Sequence, residues 1–335
     1  MTVHKLPNYQ TQHHNGSRFR NIWGPHPENL HKKFDPESGD IRHNPLDLGG
    51  WLIRKVSNPK KIEPVVGIAH LSRHSFESSE AQIFWLGHAS SLIHFKDFNI
   101  LTDPVFGERV SPVSFAGPRR LAGHAMRRSE FPHIDMIIIS HNHYDHAETE
   151  TLKYFARRDR CTVVCPLKTA KYMRDCGFQH IIEMDWWQFT EWKQVRVTCT
   201  PAKHFSGRTA TDRNSTLWAS FRIDHLVDNK SVYFAGDTAF SPHFEEIYDA
   251  FGAVDVALMP VGAYEPRWLM REIHVDPDEA VEGFKMLRGK QMIGIHWGTY
   301  DLADEPMSAP KNRIKSLSAD KNQIHMLDIG GAIKF

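Results

Sequence analysis

The segment Met136-Ile137-Ile138-Ile139-Ser140-His141-Asn142-His143-Tyr144-Asp145-His146 limits the folds open to this chain more than any other stretch. Four successive apolar side chains bounded by polar residues read as a short buried strand. Three imidazoles and one carboxylate then fall within six positions, on the loop leaving that strand. His141 and His143 stand two apart, and Asp145 and His146 are adjacent. One turn can therefore present one pair to one cation and the other pair to a second. Neutral imidazole suits zinc or iron, and the carboxylate adds a hard oxygen ligand. A His-rich surface turn is the alternative, but it has no need of a buried strand before it.

Two ions need further ligands, which must also lie at strand ends to reach the same rim. His204 follows the strand-like run Val195 to Thr200, Asp237 follows Val232 to Gly236, and His296 follows Met292 to Ile295. Each is the first good ligand after a short apolar run. The expected assignment places His141, His143 and His204 on one ion, Asp145, His146 and His296 on the other, and Asp237 across both. Two zinc ions, or iron or manganese in their place, roughly 3.5–4 Å apart would share an activated water. Asp145 and Asp237 are then the carboxylates closest to the chemistry. Structural zinc sites are mostly thiolate-bound and closed, unlike this set.

The 335 residues carry a net charge of +1 with 24% charged side chains, so no global field points to nucleic acid. Arg119-Arg120 and Arg127-Arg128 are local basic spots only. Four scattered cysteines, Cys161, Cys165, Cys176 and Cys199, suit reduced thiols better than a disulfide framework. The first residues lack the apolar core of a secretory signal, and no apolar run reaches the roughly 18 residues that span a bilayer. The expected location is cytoplasmic, with at most peripheral membrane contact. Residues 1–80, rich in proline, glycine and charge, as at Gly24-Pro25-His26-Pro27 and Asn58-Pro59-Lys60-Lys61, read as an extension wrapped on a core. Residues 81–335 read as the catalytic domain.

Within that domain, strands are expected at Ile83–Leu86, Ser91–Phe95, Asn99–Thr102, Cys161–Cys165, Val195–Thr200, Thr216–Ile223, Ser231–Ala235, Val254–Met259 and Gln291–Ile295. Helices are expected over Thr151–Arg158 and Lys168–Asp175, and around Phe244–Phe251 and Ala280–Leu287. Strands come first and then alternate with helices. That order suits two sheets packed face to face with helices outside each.

The His141-x-His143-x-Asp145-His146 run, with His204, Asp237 and His296, resembles the metallo-β-lactamase superfamily over roughly residues 81–330. Longer strings sharpen the likeness: Trp85-Leu86-Gly87-His88-Ala89, Leu101-Thr102-Asp103-Pro104, Phe234-Ala235-Gly236-Asp237-Thr238, Ala263-Tyr264-Glu265-Pro266-Arg267-Trp268, His274-Val275-Asp276-Pro277 and Ile295-His296-Trp297-Gly298-Thr299. Together these resemble the N-acylphosphatidylethanolamine-hydrolysing phospholipase D family. The first 80 residues match it only around Phe19-Arg20-Asn21 and Trp23. The resemblance implies an αββα sandwich of two mixed sheets with a dinuclear zinc site at one edge. It also implies cleavage of a phospholipid phosphodiester to phosphatidic acid and an N-acylethanolamine, with Tyr144 and His274 near the substrate phosphate.

Several residues carry two readings. Tyr144 can bond substrate or simply pack its loop. His274 can relay a proton to the leaving group or sit in a turn, since Asp276 can cap the helix that Pro277 begins. His88 and Asp103 can orient ligand imidazoles or form turns. Trp186, Trp187, Phe189 and Trp192 form an aromatic cluster whose default role is packing, with an acyl-chain wall as the alternative. On the residues alone, a lactone or other ester hydrolase with a small polar substrate is the rival to a phosphodiesterase.

Overall fold

The computed structural model describes the chain except residues 8, 10, 11, 31, 36–38, 42, 45, 48, 52–65, 114 and 318–322. The Asn58-Pro59-Lys60-Lys61 segment lies outside the described residues. In chain order the first strands are β1 (Val3–Lys5), β2 (Phe34–Asp35), β3 (Asp40–Ile41), β4 (Gln82–Gly87), β5 (Ser90–Phe95), β6 (Phe98–Thr102), β7 (Met136–Ile138), β8 (Thr162–Pro166) and β9 (His180–Met184). There follow β10 (Gln188–Trp192), β11 (Val195–Thr200), β12 (Ser220–His225), β13 (Lys230–Phe234), β14 (Val256–Pro260), β15 (Gln291–Ile295), β16 (Ile324–His325) and β17 (Ala332–Lys334). The helices are α1 (Thr149–Asp159), α2 (Ala170–Asp175), α3 (His243–Phe251), α4 (Arg267–Met270), α5 (Pro277–Met286) and α6 (Ala309–Leu317).

Two large mixed sheets result. One runs β17-β4-β5-β6-β7-β8-β9, the other β1-β10-β11-β12-β13-β14-β15-β16. Each is antiparallel up to β6 or β13 and parallel beyond it. Alternation along the strands explains the layering. In the β7 region Met136 and Ile138 join the core between the sheets, while Ile137 and Ile139 join a second core with Leu152 and Phe155 of α1. Strand β4 divides in the same way, Ile83 and Trp85 inward and Phe84 and Leu86 outward. Phe244 of α3 and Phe284 of α5 pack beyond the other sheet. The architecture is therefore the expected αββα sandwich. No described helix is long and apolar enough to cross a membrane.

The N-terminal stretch does more than drape over the surface. Val3–Lys5 pair with β10, and β10 and β11 follow the turn at Trp186 and Trp187. Both tryptophans are buried, and His13, Trp23 and Tyr9 pack against them. Trp186 and Trp187 thus form core beneath Tyr9, His13 and Trp23, while Trp192 packs on Phe98 and Phe189 on His4.

Several boundaries shift by one or two residues, and two of the differences have identifiable reasons. Residues 216–219 do not extend β12, because Leu217 N bonds Leu167 O and Ala219 N bonds Ser140 O instead of a neighbouring ladder. The helix expected from Lys168 begins at Ala170, because Lys168 sits at a left-handed φ of 65°. The four cysteines are buried and free.

Candidate metal centre

Every candidate ligand lies just past the carboxyl end of a strand. The His141–His146 loop follows β7, His204 follows β11, Asp237 follows β13 and His296 follows β15; Asp103 and His88 follow β6 and β4. Because the two sheets pack face to face, these ends meet along one edge. The seven residues proposed as ligands from the sequence converge there, in two groups.

The first group comprises His141, His143, His204 and Asp237. His141 Nε2 lies 2.8 Å and His204 Nε2 3.4 Å from His143 Nδ1. The second comprises Asp145, His146 and His296, with His88 among them. Asp145 Oδ2 lies 3.5 Å from His146 Nε2, 3.4 Å from His296 Nε2 and 3.0 Å from His88 Nε2. Asp237 reaches towards both groups. Its Oδ2 is 3.9 Å from His141 and 3.7 Å from His204 on one side and 3.0 Å from His146 on the other, while Oδ1 is 3.2 Å from His296.

Do these residues fit a metal? Four ligands tetrahedrally placed at zinc bond lengths have donor atoms about 3.4 Å apart, which the observed spacings bracket. His146 Nε2, His296 Nε2 and Asp237 Oδ1 are buried without a hydrogen-bond partner, an arrangement that is costly for polar atoms unless a cation joins them. Outward contacts fix the imidazoles. His146 Nδ1 bonds Asp103 Oδ2 at 2.6 Å, His204 Nδ1 bonds Ile273 O at 2.7 Å, and His141 Nδ1 bonds Ser140 Oγ at 2.9 Å. In each case the outer nitrogen is engaged and the inner Nε2 is left facing the group, the pattern seen around bound metals.

Electrostatics follow from the burial. Desolvation pushes the His143 imidazole down to about 4 and that of His204 to about 3, with the Asp237 and Asp145 carboxylates opposing it. Burial also lowers His141 well below its usual range, and His146 reinforces this. At His296 the same desolvation is overcome by Asp237 and Asp145, which hold the ring up at about 9; His146 is likewise held well above its usual value. Burial disfavours the charged forms of Asp145 and Asp237, yet the surrounding imidazoles, His146 foremost, keep both carboxyls well below the normal range.

The other candidates take distinct places. His274 lies over the first group, with its ring 5.2 Å from that of His204 and its buried Nδ1 unpaired and 3.9 Å from Asp237 Oδ2. Asp276 caps α5 through Glu279 N at 2.9 Å, with Pro277 as the first helical residue. Tyr144 donates its hydroxyl to Arg208 O at 2.9 Å, and the Arg208 guanidinium lies 3.9 Å over its ring. The phenol thereby helps to hold the ligand loop. Asp103, fully buried, accepts from Ser140 N and Oγ besides His146. His88 contacts Asp145 and also passes its carbonyl to His296 N at 2.9 Å.

Sequence reasoning overlooked three supports. Ser140 bridges Asp103 and His141, Arg208 donates to the carbonyls of Asn142 and Ala147, and Lys203 is buried beside His204. Only Lys203 left a trace in the sequence, as a charge wedged between Pro201-Ala202 and a ligand. Phe205 stands against His143, with ring centroids 4.4 Å apart, and is also part of the wall of a cavity of about 690 Å³. Phe19, Ile41, Leu269 and Met270 supply apolar lining, and Arg18, Arg213, Asp35, Asp40 and Glu272 supply charge of both signs, Arg213 pairing with Asp40 at 3.0 Å.

Comparison with known proteins identifies the family. The pattern of a beta-lactamase superfamily domain matches residues 98–297. The N-acyl-phosphatidylethanolamine-hydrolyzing phospholipase D 1 of Caenorhabditis elegans is 34% identical over 275 residues, covering 78% of this chain and 76% of the worm protein. The mitochondrial N-acyl-phosphatidylethanolamine-hydrolyzing phospholipase D of Saccharomyces cerevisiae is 32% identical over 72% of this chain and 53% of its own length, so the match spans about half of the yeast protein. Among solved structures, a metallo hydrolase of the archaeon Ignicoccus hospitalis superposes with a TM-score of 0.56 at 18% identity, covering 76% of this chain and 98% of that one. The chain belongs to the metallo-β-lactamase superfamily of hydrolases and is homologous to the N-acylphosphatidylethanolamine-hydrolysing phospholipases D.

Proposed function

We propose that this protein is a dinuclear-metal phosphodiesterase of phospholipase D type, acting on N-acylphosphatidylethanolamine-like phospholipids to release phosphatidic acid and an N-acylethanolamine. His141, His143 and His204 would hold one ion, Asp145, His146 and His296 the other, and Asp237 both, with zinc as the favoured metal and iron or manganese as substitutes. Ions so held would make water nucleophilic at neutral pH and offset charge building on the phosphoryl oxygens. The observation that carries the reading is Asp237, whose carboxylate lies within 3.9 Å of His141, His204, His146 and His296 at once.

The chain's own residues supply the rest. By accepting at the outer nitrogens, Asp103, Ser140 and the Ile273 carbonyl would leave Nε2 of three imidazoles to serve as the ligand atom when metal binds. Tyr144 and Arg208 brace the ligand loop. His143, Tyr144 and Asp145 are partly exposed, whereas the other proposed ligands are buried, so these three mark the side from which substrate arrives. His274, buried and with Nδ1 unpaired, is a neutral imidazole placed to relay a solvent proton to a departing alkoxide, one ring nitrogen giving its proton as the other takes one up. The cavity behind Phe205 has apolar walls at Phe19, Ile41, Leu269 and Met270, a lining with room for an acyl chain. Contact with a membrane surface would be peripheral.

The decisive experiment pairs metal analysis with Asp237→Asn. The variant should stay folded and lose turnover of both an N-acylphosphatidylethanolamine and bis-p-nitrophenyl phosphate. Near-normal rates with metal bound would refute the mechanism, and wild-type activity confined to lactones would refute the substrate class.

A further inference from the structure

Lys203 and Glu272 form a buried ion pair, Nζ to Oε2 2.8 Å, with side chains only 3% and 9% exposed. Taking two charges out of water is costly unless their remaining polar atoms are also satisfied. Here the satisfying partners all come from one place. Lys203 Nζ donates to Gly24 O at 2.9 Å, while the Glu272 carboxylate accepts from His26 N at 3.0 and 3.2 Å and from Asn29 Nδ2 at 2.6 Å.

Both members of the pair border the metal centre. Lys203 directly precedes His204, and Glu272 precedes Ile273, whose carbonyl fixes His204 Nδ1, and then His274. The Lys203 backbone also bonds the segment after Asp237, through Thr238 Oγ1 at 3.0 Å and Ala239 N at 2.7 Å. Asn21 closes the circuit by donating its Nδ2 to His204 O at 2.9 Å.

We infer that residues 21–29 are a clasp on the metal centre, with Lys203 and Glu272 as positioning residues that fix the His204 and His274 imidazoles. The inference rests on the metal reading above. It makes the extension part of the site although the superfamily pattern begins only at residue 98. A pair that merely held the fold together would leave ligand geometry untouched when replaced without loss of stability. Exchanging both members of a buried ion pair for apolar residues of similar size is often neutral for folding. The double variant Lys203→Met/Glu272→Leu therefore separates the two roles.

The test titrates full-length apo-protein with cobalt(II), follows the visible ligand-field spectrum, and controls for folding by circular dichroism and thermal unfolding. The double variant should remain folded and bind one of two cobalt equivalents about 10- to 100-fold more weakly, with an altered spectrum for that equivalent. Asn29→Ala, which keeps the ion pair but removes one bond to Glu272, should weaken the same equivalent roughly threefold. A folded double variant with wild-type affinity and spectrum overturns the clasp. If the double variant does not fold, Asn29→Ala decides alone, and unchanged binding overturns the clasp. A wild-type chain that takes up no cobalt overturns clasp and metal reading together.

Discussion

Replacing Asp103 by Asn isolates what orients the metal centre, because the change is isosteric and replaces no proposed ligand, only the outer partner of one. Asp103 is fully buried and faces three donors: Ser140 N at 2.7 Å, Ser140 Oγ, and His146 Nδ1 at 2.6 Å. A carboxylate can accept from all three, whereas an amide has one accepting and one donating end. If the amide nitrogen turns to His146, Nδ1 must accept. The imidazole proton then moves to Nε2, the atom 3.0 Å from Asp237, and its lone pair is lost to the site. If the nitrogen turns to Ser140, a buried backbone N–H is left unsatisfied at a cost of about 1–3 kcal/mol. The first arrangement should prevail, and loss of such an outer partner weakens metal binding about 10- to 100-fold, or roughly 1.4–2.7 kcal/mol. Zinc affinity measured by chelator competition should show that loss in one of two bound ions, with the melting temperature of the metal-free protein little changed. Both zinc affinities within about threefold of wild type would show that Asp103 does not set the His146 tautomer.

Two further outcomes are expected. His274→Gln should retain its metal and cost about 10²–10⁴-fold in turnover of a phospholipid, whose alkoxide needs a proton, but little with bis-p-nitrophenyl phosphate, whose phenolate leaves unaided; equal losses on both would remove His274 from proton transfer. For the metal-free protein, the His296 ring, raised from 6.5 to about 9 against its own desolvation by Asp237 and Asp145, stabilises the fold fully below pH 6.5, and that contribution, about 3 kcal/mol, disappears as pH climbs to 9. The imidazoles lowered by burial, His88, His143, His204 and His274, are neutral in both states above about pH 7.5 and do not act between there and pH 9, whereas His146, also held above its usual value, adds to the loss with the same sign. Metal-free protein should accordingly melt at lower temperature at pH 9 than at pH 7.5, while a flat profile would contradict the charge assigned to His296 and His146.

What could be read in the chain beforehand was local. Strand β7 announced itself through four consecutive apolar residues, and His141 to His146 through their density just after it. His204, Asp237 and His296 were legible because each follows an apolar run, and the packing of two sheets brings such strand ends together. Long-range partners left no comparable mark. Nothing near Arg208 signals that it will grip the carbonyls of Asn142 and Ala147, more than 60 residues away. Glu272 looks like any surface acid until Lys203, Gly24, His26 and Asn29 are seen around it. The low periodicity of residues 1–80 hid the edge strand Val3–Lys5, since three residues are too few to show alternation. The end of β11 could be read from its branched residues, but the start of β12 could not, because Ala219 bonds Ser140 in place of a ladder neighbour.

His88, Asp103 and His296 adopt φ values of 52°, 31° and 61°, and each is the first residue beyond its strand. Left-handed torsions of this kind cost a side-chain-bearing residue on the order of 1 kcal/mol or more, a cost that glycine escapes. The edge where the chemistry gathers is thus wound tighter than relaxation would leave it, at three points where a smaller residue would ease the backbone and leave nothing to grip an ion or steer an imidazole. Selection for robustness alone would erode these positions towards glycine. That they carry histidine and aspartate instead is a signature of demand for function over repose, and it warns that stabilising substitutions sought near this edge will tend to be inactivating ones.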